Sequence, residues 1–177
     1  VFVGNPVTDG IKPKYETKER FFEEAGLDPD VKTIGLLPGS RKKEITSLMP
    51  AMCGAAKNMK NTQFILAKSE NIDIETYFPF IRGLDIKVAE LPYDIMKHSD
   101  ILWCCSGTAT LEAAILKTPM ILLYKVGSFT YALGRMLVKL KHIGLPNIIA
   151  GKTIIPELMQ GSVSGFNLLI FTEKVEN

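Results

Sequence analysis

Two stretches of this chain join an apolar run to a turn of small and polar residues and then to a helix-prone segment. One is Leu36-Leu37-Pro38-Gly39-Ser40-Arg41-Lys42-Lys43-Glu44-Ile45. The other runs from Asp100 through Cys105 into Ser106-Gly107-Thr108-Ala109-Thr110-Leu111-Glu112. A strand that delivers such a turn onto a helix N-terminus aims unpaired backbone N–H groups and the positive dipole end at one point, where anions and phosphates bind. In the first stretch Gly39 lets the backbone approach a ligand, and Ser40 can cap the helix or donate to a phosphate oxygen. Arg41 adds the bidentate fork suited to phosphate, although an ordinary helix start with a surface arginine reads the same way. In the second stretch Glu112 lies about one turn inside the helix. Its carboxylate would repel a phosphate but suits the hydroxyls of a sugar. A turn for diphosphate beside an acid for ribose is a nucleotide-binding arrangement.

Other chemistries find less support. The Gly-x-x-x-x-Gly-Lys-Ser/Thr cradle is absent and no Gly-x-Gly-x-x-Gly follows a strand, which counts against ATP hydrolysis and nicotinamide redox chemistry. No Gly-x-Ser-x-Gly elbow supports a serine hydrolase. His98 and His142 neighbour neither a nucleophile nor a metal-ligand pattern, and His98 reads as structural. Asp9 shapes an N-terminal turn, while Asp94 and Asp100 read as helix-start and strand-start residues. Cys53, Cys104 and Cys105 are too few and too poorly spaced for a disulfide framework or a zinc site, which favours a reducing, cytoplasmic setting. Neither a metal nor a cofactor is expected.

With 177 residues, 46% hydrophobic and 23% charged, the chain has the composition of a soluble globular domain. It opens on Val1-Phe2-Val3-Gly4 without methionine, so a piece of a longer protein is expected. No apolar run approaches the roughly 20 residues a bilayer span needs. The net charge of +2 is unevenly spread: between Glu112 and Glu157 there is no acid, while Lys117, Lys125, Arg135, Lys139, Lys141 and Lys152 supply six positive charges. This half of the chain therefore invites an anionic partner or presents a solvated basic face. The segment Phe129–Lys141 is amphipathic at helical spacing, with aromatics first and cations last. It could lie on an anionic membrane surface or pack its apolar face on a sheet.

Strands are expected over Thr33–Leu37, Gln63–Ala67, Asp85–Ala89, Asp100–Cys105 and Pro119–Tyr124. Helices are expected over Lys14–Gly26, Glu44–Met59, Asp73–Arg82, Tyr93–Lys97, Thr108–Leu116 and Phe129–Lys139. Strands without clean alternation, separated by helical patterns, predict an α/β domain with a doubly wound parallel sheet and ligands at the carboxyl ends of its strands. Leu145–Gly151 reads as an apolar loop in which Asn147 orients either the backbone or a ligand. Phe166–Phe171 is compatible with a strand or a terminal helix.

Gly4-Asn5-Pro6, Leu36–Ile45, Ser106–Ala113, Thr118-Pro119-Met120, Tyr124-Lys125-Val126 and Leu145–Gly151 through Pro156–Gln160 occur in this order. Taken together these motifs resemble the C-terminal half of the lipid-A-disaccharide synthase family, inverting glycosyltransferases of the two-domain GT-B type. The resemblance implies a Rossmann-like UDP-sugar-binding domain over residues 1–160, a divergent or truncated tail over 161–177, and an N-terminal acceptor domain, source of the general base, that is absent. It implies transfer of 2,3-diacylglucosamine from UDP to 2,3-diacylglucosamine 1-phosphate, forming lipid A disaccharide 1-phosphate. No nucleic acid is involved. Gly39, Ser40, Arg41, Ser106, Gly107 and Thr108 would then face the diphosphate and Glu112 the ribose. Asn5, where the family usually has histidine, Leu91 in the loop Glu90-Leu91-Pro92, and Asn147 are further candidates. The expected location is cytoplasmic, at the inner face of the Gram-negative inner membrane. Other UDP-sugar enzymes of the same architecture, an N-acetylglucosaminyltransferase or an epimerase, and a non-catalytic nucleotide-binding module are the alternatives.

Overall fold

A computed structural model describes residues 10–126 and 142–176. Six strands alternate with helices: α1 (Lys18–Ala25), β1 (Lys32–Leu37), α2 (Lys42–Ala56), β2 (Thr62–Ala67), α3 (Phe78–Ile81), β3 (Ile86–Ala89), α4 (Pro92–His98), β4 (Ile101–Cys105), α5 (Thr108–Ile115), β5 (Met120–Tyr124), α6 (Leu145–Ala150), β6 (Glu157–Met159) and α7 (Gly165–Glu176). The sheet order is β3-β2-β1-β4-β5-β6 and every pair is parallel. This is the doubly wound sheet expected from the sequence. After β3 the chain crosses back to β4 beside β1, so the topological switch point lies between the ends of β1 and β4.

Burial on both faces explains why the central strands β1, β4 and β5 lack alternation. Leu36, Trp103 and Leu123 point into one apolar cluster under α2 and α7, with Met49, Met52 and Leu168. Leu37, Leu102 and Cys104 point into the other, under α1, α4 and α5, with Phe21, Phe22 and Ala113. Gly35 on β1 is a space requirement: a Cβ there would stand 2.6 Å from Leu102 Cδ2 and 2.9 Å from Ile95 Cγ2. Its absence lets α4 and β4 close on β1.

Several local expectations are corrected. The helix over Asp73–Arg82 is split into a 3-10 turn at Ile74–Thr76 and the single-turn α3, because Pro79 can only sit in a first turn. Leu145–Ala150 is a short helix rather than a loop, opened by Pro146 in its first turn and closed by left-handed Gly151. β6, which had no strand signal, forms because Leu158 is buried beside Leu123. Phe166–Phe171 is helical, inside α7, and Trp103 Nε1 donates to Thr172 Oγ1 of that helix at 3.0 Å. The segment Phe129–Lys139 lies outside the described residues. Among the described residues no helix is long and apolar enough to cross a membrane.

Candidate functional site

β1 and β4 lie side by side, with Leu37 paired to Cys104, and both empty into a cleft of about 530 Å³. From β1 and α2 it is lined by Gly39, Ser40, Arg41 and Glu44. From β4 and α5 it is lined by Cys105, Ser106, Gly107, Thr108, Ala109 and Glu112. The seven residues that sequence reasoning grouped as a diphosphate and ribose site thus line a single cleft, within the 300–1,000 Å³ range of small-molecule sites. Thr108 and Ala109 open α5, so their N–H groups have no intrahelical acceptor. The Ser106 N–H is spent on Leu123 O at 2.9 Å. Thr110 is fully buried and its hydroxyl donates to Gly107 O at 2.7 Å, which ties the turn to the helix.

The β1 turn is built differently. Gly39 has φ +109°, and a Cβ there would collide with Glu44. Glu44 folds back over the turn: the N–H groups of Ser40 and Arg41 donate to its Oε2 at 3.0 and 3.2 Å, and Arg41 Nη1 donates to its Oε1 at 3.1 Å. A carboxylate of the chain itself therefore occupies the donors of this turn, which are of the kind that bind anions. Glu112 is partly buried, which raises its carboxyl above the ordinary carboxylate range, while a hydrogen bond from Tyr93 pulls it down. Burial pushes the Cys105 thiol up to about 12, so it is a neutral wall of the cleft rather than a nucleophile.

A third wall of the cleft carries no motif of its own in the sequence. Lys68, Ser69, Glu70 and Asn71, which follow β2, line the cleft beside the β1 turn. Lys68 Nζ donates to Glu90 Oε1 at 2.6 Å, and this pairing raises the lysine pKa. The available signal was topological: in a doubly wound sheet β2 neighbours β1, so its carboxyl end must flank the same crevice. The loop Glu90-Leu91-Pro92 reaches the cleft through Pro92, while Leu91 packs against the apolar cluster below.

The profile of the family described as lipid-A-disaccharide synthetase matches residues 1–175. The chain belongs to that family. A relative named lipid-A-disaccharide synthase from Syntrophus aciditrophicus (strain SB) is 41% identical over 171 residues, covering 92% of this chain and 44% of the relative. The chain thus spans less than half the length of the curated relatives it matches. Among solved structures, a putative UDP-N-acetylglucosamine 2-epimerase from Listeria monocytogenes superposes with a TM-score of 0.57 at 16% identity, over 97% of this chain and 42% of that one. A spinosyn rhamnosyltransferase superposes with a TM-score of 0.53 at 15% identity, over 82% and 37%. At such identities the two structures show the fold alone. It is Rossmann-like, of the GT-B kind.

Another candidate of this lipid-A-disaccharide synthetase family member, Asn147, sits elsewhere. Asn5 and Asp9 lie outside the described residues. Asn147 is fully buried and works on the backbone: its Oδ1 accepts from the N–H groups of Ile154 and Ile155, and its Nδ2 donates to Ile155 O and Glu157 Oε1 at 2.8 and 2.7 Å. It does not line the cleft. Asn147→Asp keeps the acceptor but sets a carboxylate against Glu157, so we expect a loss of about 2–4 kcal/mol at neutral pH. Urea denaturation of Asn147→Asp and Asn147→Ala checks this; an aspartate variant as stable as wild type would contradict it. His98 Nε2 lies 3.1 Å from Tyr15 O, and the Asp94 carboxylate accepts from the N–H groups of Lys14 and Tyr15, so both hold the N-terminal segment onto α4. Asp100 likewise accepts from Thr33 N–H at the start of β4.

Proposed function

We propose that this chain is the donor-binding part of an inverting glycosyltransferase, which transfers 2,3-diacylglucosamine from UDP to 2,3-diacylglucosamine 1-phosphate. The products are lipid A disaccharide 1-phosphate and UDP. One observation carries the reading: in a member of this family, Arg41, the α5 N-terminus and Glu112 line one cleft at the switch point. Charge that develops on the UDP leaving group would meet the Thr108 and Ala109 N–H groups and the Arg41 guanidinium, while Glu112 accepts from ribose hydroxyls. The acceptor site and general base belong, in this reading, to the part of the relatives that this chain does not match.

Two substitutions separate the roles. Arg41→Ala removes charge-assisted bonds to phosphate and is expected to weaken UDP binding about ten- to hundredfold while sparing uridine. Glu112→Gln is expected to weaken UDP and uridine equally, by about tenfold. Calorimetric titration of both ligands checks the pair; an arginine variant that loses uridine as much as UDP would remove the phosphate role.

The lipid substrates require a membrane, and the proposed location is the inner face of the Gram-negative inner membrane. Ile148, Ile149 and Ile154 are 43%, 69% and 53% exposed around Lys152, in a stretch without acids. An apolar knob with a cation suits an anionic leaflet. Co-sedimentation with vesicles containing phosphatidylglycerol, lost in Ile149→Glu and absent from phosphatidylcholine vesicles, is expected; equal binding to both vesicle types would contradict it.

A further inference from the structure

The two cations that line the described cleft are both engaged by carboxylates. Arg41 is held by Glu44 and Lys68 by Glu90. Glu44 does more than pair with a charge, because it also takes the two backbone N–H groups of the turn. Two backbone donors and one guanidinium converging on two oxygens are what a terminal phosphate would use. A carboxylate and a phosphate are both anions, and they cannot share these donors without strong repulsion.

We infer that Glu44 is an internal stand-in for the ligand's phosphate, and that its departure sets the affinity of the nucleotide site. The inference rests on the reading of the cleft as a UDP site and names the residue that tunes it. Glu44 can leave: its side chain keeps a quarter of its surface in solvent, and among the described residues Arg41 alone forms an ion pair with it. Lys68 and Glu90 repeat the pattern on the neighbouring wall, where Glu90 is half exposed. Binding then proceeds by exchange: the incoming phosphate takes Ser40 N–H, Arg41 N–H and the guanidinium, and the Glu44 carboxylate moves to water. The apparent affinity is lowered by the fraction of molecules in which Glu44 has not yet moved.

A purely structural role for Glu44, as a helix cap that also holds Arg41 in place, predicts the opposite sign. Calorimetric titration of UDP and uridine into the wild-type chain and into Glu44→Gln, at one ionic strength, decides between them. Exchange predicts that Glu44→Gln binds UDP about tenfold more tightly, since a neutral amide oxygen holds the donors more weakly than a carboxylate does, with uridine unchanged. An unchanged or weakened UDP affinity overturns it. Absence of UDP binding in both proteins overturns the nucleotide reading and this inference with it. If Glu44→Gln does not fold, the wild-type chain carries the test by NMR: addition of UDP should shift the Ser40 and Arg41 amides together with the Glu44 carboxyl carbon. A Glu44 resonance that stays in place while UDP binds overturns the inference.

Discussion

Replacing Gly39 with valine is expected to cost about 2–4 kcal/mol and to abolish detectable UDP binding, because a distorted turn no longer aims the Ser40 and Arg41 N–H groups at a phosphate even with Glu44 displaced. Gly39 sits at φ +109°, where an L side chain is strained, and a β-branched residue is the worst fit. The same Cβ would meet the Glu44 carboxylate, Glu44 Cβ at 2.8 Å and Cys105 Sγ at 3.2 Å. Pushing Glu44 aside strips the N-terminus of α2 of its cap, worth roughly 1 kcal/mol, and the strain adds about 1–3 kcal/mol. Gly107 is the control on the opposite wall. A Cβ there meets nothing within 4 Å, so Gly107→Ala should unfold at the wild-type urea midpoint and still bind UDP more weakly, since it adds a methyl group to a residue that lines the cleft. A Gly39→Val protein with wild-type midpoint and affinity would show that the turn neither needs its geometry nor serves the ligand.

Trp103→Ala should be the most destabilising single truncation, at about 3–5 kcal/mol. Trp103 is fully buried in β4, its ring lies 5.8 Å from that of Phe64, and its indole N–H reaches Thr172 in α7. Thr172 in turn donates to Leu168 O at 2.7 Å, so the tryptophan links the strand that carries the Ser106–Thr108 turn to the last helix. Truncation leaves a cavity between sheet and helix and breaks this link. Trp103→Phe, which refills most of the volume, should lose only the hydrogen bond and part of the packing, about 1–2 kcal/mol. Trp103 is the chain's only tryptophan, so circular dichroism rather than fluorescence must follow the melts. Equal melting temperatures for Trp103→Ala and wild type would mean that α7 is not docked as described.

The sheet was legible because its central strands β1, β4 and β5 are buried on both faces: five short apolar runs with helices between them admit few other folds. Both turns of the candidate cleft were legible as strand–turn–helix junctions, although an ordinary helix start reads the same way; their convergence on one cleft follows from the adjacency of β1 and β4. What escaped notice depended on tertiary context. β6 has three residues and a single buried side chain, too little for any periodicity. Leu145–Ala150 carries isoleucines and a proline, poor helix formers in isolation, and Asn147 holds its flank through bonds to residues seven to ten positions away. Glu44 stands at the start of an expected helix and Lys68 just past the expected strand Gln63–Ala67; only the folded turn and the adjacency of β2 to β1 bring them into the cleft.

UDP binding in this cleft, as proposed above, is best probed by calorimetric titration of the 177-residue chain with UDP, CDP and ADP at matched ionic strength. Saturable UDP binding, at least about tenfold tighter than either control and with a 1:1 stoichiometry, is expected. Equal binding of all three nucleotides, or binding of none, would contradict it.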